Sequence, residues 1–189
     1  PAGPAWRPAR SAALRSASLM TFLRVEHMLQ LIGSYDPEKV LFEANRRFPL
    51  SDEGEYFTLW VGQLHMPTRS LSYASAGHHG ILLSSPERPS RWLTHPSSPL
   101  GFDPSAVFAG NRITLQSGDR LFLLSDGIYE AASPTGEPWG RWRFQQAIET
   151  QKRSPLTATI AHCFTEARRW QEQCDFFDDA AVVGLELTV

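Results

Sequence analysis

One short stretch constrains the fold of this chain more than any other, the sequence GDRLFLLSDG at residues 118–127. Its apolar run at 121–124 predicts a buried strand. Ser125, Asp126 and Gly127 end that run abruptly. A carboxylate at the end of a buried strand is poorly solvated and needs a hydrogen-bond donor, a cation or a metal as its partner. The rest of the chain must provide that partner.

Further short segments have the composition of strands, with many aromatic and branched residues between proline or glycine turns. The predicted strands cover residues 56–64, 70–76, 80–85, 90–94, 106–115, 119–125 and 180–189. The turns between the first six are too short for crossover helices, so we expect mostly antiparallel pairing.

Helices are predicted on both sides of this block of strands. The predicted helices cover residues 11–32, 36–48, 140–151 and 154–173. Asp36 is a suitable cap with Pro37 in the first helical position, and Ser154 is the expected cap of the last helix. Helices, antiparallel strands, helices and a final strand predict an α+β layered domain, a sheet sandwich covered by helices.

The composition is that of an ordinary soluble protein, and 189 residues suit a single domain. Residues 1–10 are rich in proline, alanine and arginine and predict an irregular lead-in. Because no methionine begins the chain, we expect the C-terminal portion of a longer signalling protein. A net charge of -2 gives no reason to expect a nucleic-acid partner or an anionic membrane surface. No apolar run is long enough to cross a bilayer, and two cysteines suit a reduced, cytoplasmic protein.

Carboxylates flank two of the predicted strands. Asp126 follows the apolar run, while Asp178 and Asp179 precede the last strand. If these strands are antiparallel neighbours, the carboxylates meet at one rim of the sheet, where hard oxygen ligands would select magnesium or manganese. Alternatively, Asp126 caps a turn and Asp178 is an ordinary loop residue. The spacing alone leaves both interpretations open.

Four pieces of the sequence stand in an order that resembles a known family. They are YASAGHHGILL at 73–83, SSPLGF at 97–102, LQSGDRLFLLSDGIYEAASPTGEPWG at 115–140 and DDAAVVGLEL at 178–187. Together they resemble the bacterial metal-dependent serine/threonine protein phosphatases of the PPM class, in the branch that includes SpoIIE and RsbU. The resemblance implies the PPM fold, in which two antiparallel sheets are flanked by helical layers.

The resemblance also implies a metal site. In that family, aspartates at the sheet rim bind two manganese or magnesium ions, and metal-activated water attacks phosphoserine or phosphothreonine. Asp126 matches the aspartate of the family's Asp-Gly motif and Asp178 the first residue of its acidic pair, so both would be metal ligands. Gly127 would be the small residue that permits close packing beside the metal.

Other polar residues are weaker candidates for supporting roles. Asp179 completes the acidic pair, whereas Asp119 lies in a Gly-Asp sequence that is more often simple turn chemistry. His78 and His79 could act as general acids, but histidines in a tight turn more often bond to the backbone. Four arginines of the predicted helices could favour a phosphorylated partner, although arginines on helices usually form a solvated face; they are Arg141, Arg143, Arg168 and Arg169.

Part of the family pattern is absent. Its N-terminal strands carry a Gly-Asp…Asp and an Asp-x-x-Gly-x-Gly motif, and neither precedes Ser11, so these strands are expected to be missing or divergent. Two carboxylates hold one cation weakly. We therefore expect one ion or none, and weak or no activity, in the 189-residue chain alone.

Two functions follow from these observations. The leading hypothesis is metal-dependent dephosphorylation of a signalling protein, which by resemblance is an anti-sigma-factor antagonist, under the control of an upstream sensor or receiver domain. The alternative is a catalytically incomplete phosphatase-like module that acts by protein–protein binding.

Overall fold

The computed structural model describes residues 35–50, 56–172 and 175–188. The predicted lead-in and the helix over 11–32 lie outside these residues. The described α-helices and β-strands, in chain order, are α1 (Pro37–Arg47), β1 (Leu59–His65), β2 (Ser70–Ala76), β3 (Ile81–Ser84), β4 (Arg91–Leu93), β5 (Asn111–Thr114), β6 (Arg120–Leu124), α2 (Asp126–Tyr129), α3 (Gly140–Thr150), α4 (Leu156–Trp170) and β7 (Val182–Glu186), and a short 3-10 helix, Met66–Thr68, follows β1. No helix within the described ranges is long and apolar enough to span a membrane.

The strands form two sheets, with the orders β1-β2-β5 and β4-β3-β6-β7. Neighbouring strands within both sheets run antiparallel. This architecture confirms the predicted α+β class and the antiparallel pairing. Short turns dictate the result, because a parallel pair would need a crossover connection that these turns are too short to provide.

Strand β6 shows how the sequence distributes its side chains between two cores. Leu121 and Leu123 belong to the cluster between the two sheets, whereas Phe122 and Leu124 belong to the cluster under the helices. Since successive side chains of a strand point to opposite faces, an unbroken apolar run is what a strand with two dry faces requires. The uninterrupted run therefore places β6 in the middle of the domain.

The helices cover the outer faces of both sheets. Helices α3 and α4 pack on the four-stranded sheet, and α1 packs on the three-stranded sheet. The predicted cap of α1 is confirmed, since an Asp36 carboxylate oxygen accepts hydrogen bonds from the backbone N–H groups of Glu38 and Lys39 at 3.1 and 3.5 Å. The order of layers is therefore helix, sheet, sheet, helix.

Two local predictions were wrong. Ser154 does not cap α4, because its hydroxyl donates to Gln151 Oε1 at 2.7 Å and the helix begins after Pro155. The strand predicted over 106–115 is confined to β5, because pairing with β2 ends at Asn111 and the Gly110 N–H donates to Glu38 Oε1 instead.

Candidate functional site

The site begins where β6 ends beside the start of β7. Leu124 pairs with Val182, and the Ser125 N–H donates to the Ala181 carbonyl at 3.0 Å. The Ser125 hydroxyl donates to the Asp179 carbonyl and accepts from the Ala181 N–H, each at 2.8 Å. The predicted antiparallel pairing of these strands is confirmed, and it places Asp126 next to the acidic segment 178–179.

Gly127 lies in close contact with that acidic segment. A methyl group at this position would lie 2.7 Å from the Asp179 carbonyl oxygen and 3.1 Å from the Asp178 carbonyl oxygen. Real Cβ atoms essentially never make the first contact, and the second is tighter than most, so the first turn of α2 packs here because the residue has no side chain. Gly127 therefore allows the chain at Asp126 to pack against the segment 178–179.

The carboxylates at this rim influence one another. Burial raises the pKa of Glu130, and the negative charges of Asp126 and Asp178 raise it further. Asp178 Oδ1 also accepts a hydrogen bond from the Asp179 N–H at 2.7 Å. Carboxylate oxygens are the donors that magnesium and manganese prefer. Within the described residues, however, no group of three or more His, Cys, Asp or Glu side chains could hold a metal ion. Metal ligation by Asp126 and Asp178 stays a prediction.

Asp126 also lines a cleft of about 470 Å³. The other described residues that line it are Thr58, Gly77, His78, His79, Thr94, His95, Pro96, Ser97, Tyr129 and Arg141. They come from the residue before β1, the β2–β3 turn, the segment after β4, the end of α2 and the start of α3. The cleft therefore gathers polar side chains from distant parts of the sequence beside the acidic rim.

His79 and Tyr129 form an inward-facing pair on the wall of this cleft. His79 Nε2 donates to the Leu124 carbonyl at 3.1 Å, which leaves Nδ1 to accept the Tyr129 hydroxyl at 3.1 Å. Burial lowers the pKa of His79, and burial together with the Asp126 charge raises the pKa of Tyr129 to about 12. Both groups are neutral at pH 7 and connect the β2–β3 turn to α2.

His78 has a similar structural role. Its Nδ1 accepts the Gly80 N–H at 3.0 Å, and its ring stacks on His79 with 4.0 Å between centroids. Burial, and then the neighbouring His79, lowers the pKa of His78 to about 4. A group that is deprotonated at neutral pH is a poor general acid, so the structure favours the backbone-bonding role.

Arg141, at the start of α3, was one of four helix arginines named from the sequence and was not chosen as a site residue. Its Nη1 donates to the His79 carbonyl at 2.8 Å, and its guanidinium carbon lies 5.2 Å from the centroid of the Trp92 ring. Tyr129 was missed. No local pattern could have indicated these contacts, because they join residues 50 and 62 positions apart.

Asp119 lies at the opposite end of β6 from Asp126, roughly 20 Å away along the strand. It is buried, and its carboxylate accepts hydrogen bonds from the Ser85 hydroxyl at 2.6 Å, Arg88 Nη2 at 2.9 Å and the Gln116 N–H at 2.8 Å. Asp119 therefore does not support the rim site. It fixes the turn before β6, which was the simpler of the two interpretations of its Gly-Asp sequence.

Comparison with known proteins agrees with this architecture. The family described as Stage II sporulation protein E (SpoIIE) matches residues 11–188. Protein IcfG of Synechocystis is 28% identical over 97 residues, which is 51% of this chain and 15% of IcfG. The chain thus spans only a small part of that relative.

Two solved structures share the fold. The SiaA-PP2C domain of Pseudomonas aeruginosa matches 86% of this chain and 65% of that domain, with a TM-score of 0.74 and 19% identity. The PP2C phosphatase domain of SpoIIE from Bacillus subtilis, solved with a fragment of its regulatory domain, matches 89% of this chain and 50% of that protein, with a TM-score of 0.73 and 19% identity.

Proposed function

Since the chain belongs to the SpoIIE family of PP2C-type phosphatases, we propose that it removes phosphate from phosphoserine or phosphothreonine in a signalling protein, with manganese or magnesium as its cofactor. One observation above all supports this proposal. Gly127 brings Asp126 against the acidic segment 178–179 at an open rim, beside a cleft with polar walls.

The residues at the rim are of the right type for the implied metal. Asp126 and Asp178 would hold it through hard carboxylate oxygens. A bound ion would supply an activated water and would neutralise charge on the phosphoryl group. Asp126 and Asp178 stand close enough to Glu130 to raise its pKa, so a cation here would relieve repulsion within the chain itself.

The proposed substrate is a phosphorylated protein. By the family resemblance, it is an anti-sigma-factor antagonist. An upstream sensor or receiver domain and a cytoplasmic location belong to the same proposal. The open cleft beside Asp126 suits a phosphorylated side chain on a protein surface better than a fully enclosed small molecule.

A second candidate is favoured by a different observation. Among the described residues, no group of three or more His, Cys, Asp or Glu side chains is placed to hold a metal ion. A domain with that deficiency would keep the fold as a binding surface for a signalling partner and would have no turnover of its own.

The two candidates are separated by assaying the full natural protein and the 189-residue chain with a phosphoserine peptide and manganese. Because two carboxylates make an incomplete metal centre, we expect turnover by the full protein and very slow turnover by the 189-residue chain. Asp126→Ala should reduce kcat of the full protein at least 100-fold, and Asp126→Asn should abolish any manganese-induced rise in Tm.

Glu87→Ala provides the control, because it removes an exposed carboxylate from the loop between β3 and β4. An inactive full protein would favour the binding module. Strong, Asp126-dependent turnover by the 189-residue chain would show that its ligand set is already complete.

A further inference from the structure

The cleft beside Asp126 contains one side chain whose charge the proposed metal site does not use. Arg141 is the single arginine among the described residues that line this cleft, and none of these residues is a lysine. None of the ion pairs among the described residues includes Arg141. A guanidinium without a carboxylate partner, next to an acidic rim, needs an explanation.

Several of the other polar side chains of the cleft already have partners within the protein. His79 donates a hydrogen bond to the Leu124 carbonyl, and it accepts one from the Tyr129 hydroxyl. The Ser97 hydroxyl donates to the Ser75 carbonyl at 2.6 Å and accepts from the Gly77 N–H at 3.1 Å. These groups build the wall, and they leave Arg141 as the permanently charged donor that faces an incoming ligand.

Arg141 is also held in place. One contact fixes Nη1 to the His79 carbonyl, and the Trp92 ring supports the guanidinium plane. A guanidinium has five N–H donors, so most of them remain free after this anchoring bond. Because the side chain is already ordered, little conformational entropy is lost when it binds an anion.

Arg141 and Asp126 act on the same region of the cleft. Their charges have opposite effects at the Tyr129 hydroxyl, where Asp126 raises the pKa and Arg141 lowers it. A phosphate dianion that approaches Asp126 would be repelled by the carboxylate. The guanidinium supplies the compensating positive charge on the protein side.

We infer that Arg141 is the phosphate anchor of the substrate, binding two oxygens of the phosphoryl group while the reacting phosphorus lies toward Asp126. Bidentate contact of this kind is the geometry that arginine offers to phosphate. This inference rests on the proposed function, because it assigns the substrate recognition of the same cleft.

The test measures binding and turnover separately in the full natural protein with manganese. Arg141→Gln should raise KM for a phosphoserine peptide roughly 10- to 100-fold, the range expected for loss of charge-assisted hydrogen bonds, with a smaller change in kcat. It should also weaken product inhibition by inorganic phosphate to a similar degree. Arg141→Lys should recover part of the loss, since an ammonium keeps the charge but not the planar pair of donors.

Arg153→Gln is the matched control, because it removes the same charge from an exposed turn between α3 and α4. Thermal melting of each variant shows whether it is folded. The inference is overturned if Arg141→Gln binds the phosphopeptide as tightly as the parent, or if Arg153→Gln weakens binding equally.

Direct titration with the phosphorylated and unphosphorylated peptides keeps this inference distinct from the proposed function. If the protein binds the phosphopeptide through Arg141 but does not hydrolyse it, the role of Arg141 as phosphate anchor is supported and the proposed phosphatase activity is wrong. If the Arg141→Gln variant hydrolyses the peptide with unchanged KM, the phosphatase activity is supported and the role of Arg141 as phosphate anchor is wrong. A parent protein that binds both peptides equally would also reject the anchor.

Discussion

The two ends of strand β6 carry the same kind of residue with opposite environments. Asp119, before the strand, is buried and accepts hydrogen bonds from a hydroxyl, a guanidinium and a backbone N–H. Asp126, after the strand, is exposed, and its negative charge and that of Asp178 add to the burial that raises the pKa of Glu130. A carboxylate surrounded by donors stabilises the fold, whereas one surrounded by other carboxylates is available to a cation.

The sharpest way to test this contrast is to remove each negative charge in turn. Asp119→Asn should cost about 2–4 kcal/mol of unfolding free energy, because it weakens several bonds to a buried group and leaves Arg88 without its partner. Asp126→Asn should change the unfolding free energy by less than about 0.5 kcal/mol without metal, and relief of repulsion would make that change stabilising. Urea denaturation of both variants measures the difference. Equal costs would remove the distinction between the two ends.

A smaller effect is expected from the contact that defines the Asp126 end. Gly127→Ala should lower the unfolding free energy by about 2 kcal/mol, because its methyl group would overlap the backbone at Asp179. Gly136→Ala is the comparison variant. It has a positive φ of 84° but nothing within 4 Å of a new methyl group, so it should cost only about 1 kcal/mol of backbone strain. If Gly127→Ala lowers the unfolding free energy less than Gly136→Ala does, the close packing of Gly127 against the segment 178–179 is wrong.

The smallest expected effect is the loss of folding stability that His78 causes at acidic pH. The folded pKa of His78, about 4, lies below the ordinary value of 6.5, so the unfolded chain takes up its proton first as pH falls. The stability that neutral His78 provides is complete above pH 6.5 and is lost progressively between pH 6.5 and about 4.

Between pH 7.5 and 4.5, the parent chain should lose about 1–2 kcal/mol more stability than His78→Asn. This figure is below the full value of the pKa shift because the ring is partly solvated. Denaturant melts of both chains across this pH range give the difference, in which the carboxylates common to both chains cancel. Parallel curves for the two chains would assign no acid sensitivity to His78.

Much of the layered fold could be predicted from the sequence. The apolar run 121–124 indicated a buried strand, and in the structure its alternate residues enter two different cores. The cap at Asp36 and the antiparallel pairing were predicted correctly, because each follows from a local rule about backbone donors or turn length. The short helix α2 was missed, since Asp126-Gly127 has the composition of a turn and Ile128 becomes helical by packing into the core.

The sequence by itself indicated where the strands and the candidate carboxylates lie, because strand period and turn chemistry act over a few residues. It could not determine which aspartate has hydrogen-bond donors around it in the folded protein. Gly-Asp at 118–119 and Asp-Gly at 126–127 look alike, and only the tertiary structure brings Arg88 to the first and the segment 178–179 to the second. The placement of Arg141 against the His79 carbonyl was decided in the same way. Such contacts join residues tens of positions apart, and their energies depend on burial and on the neighbouring charges that the packed layers supply.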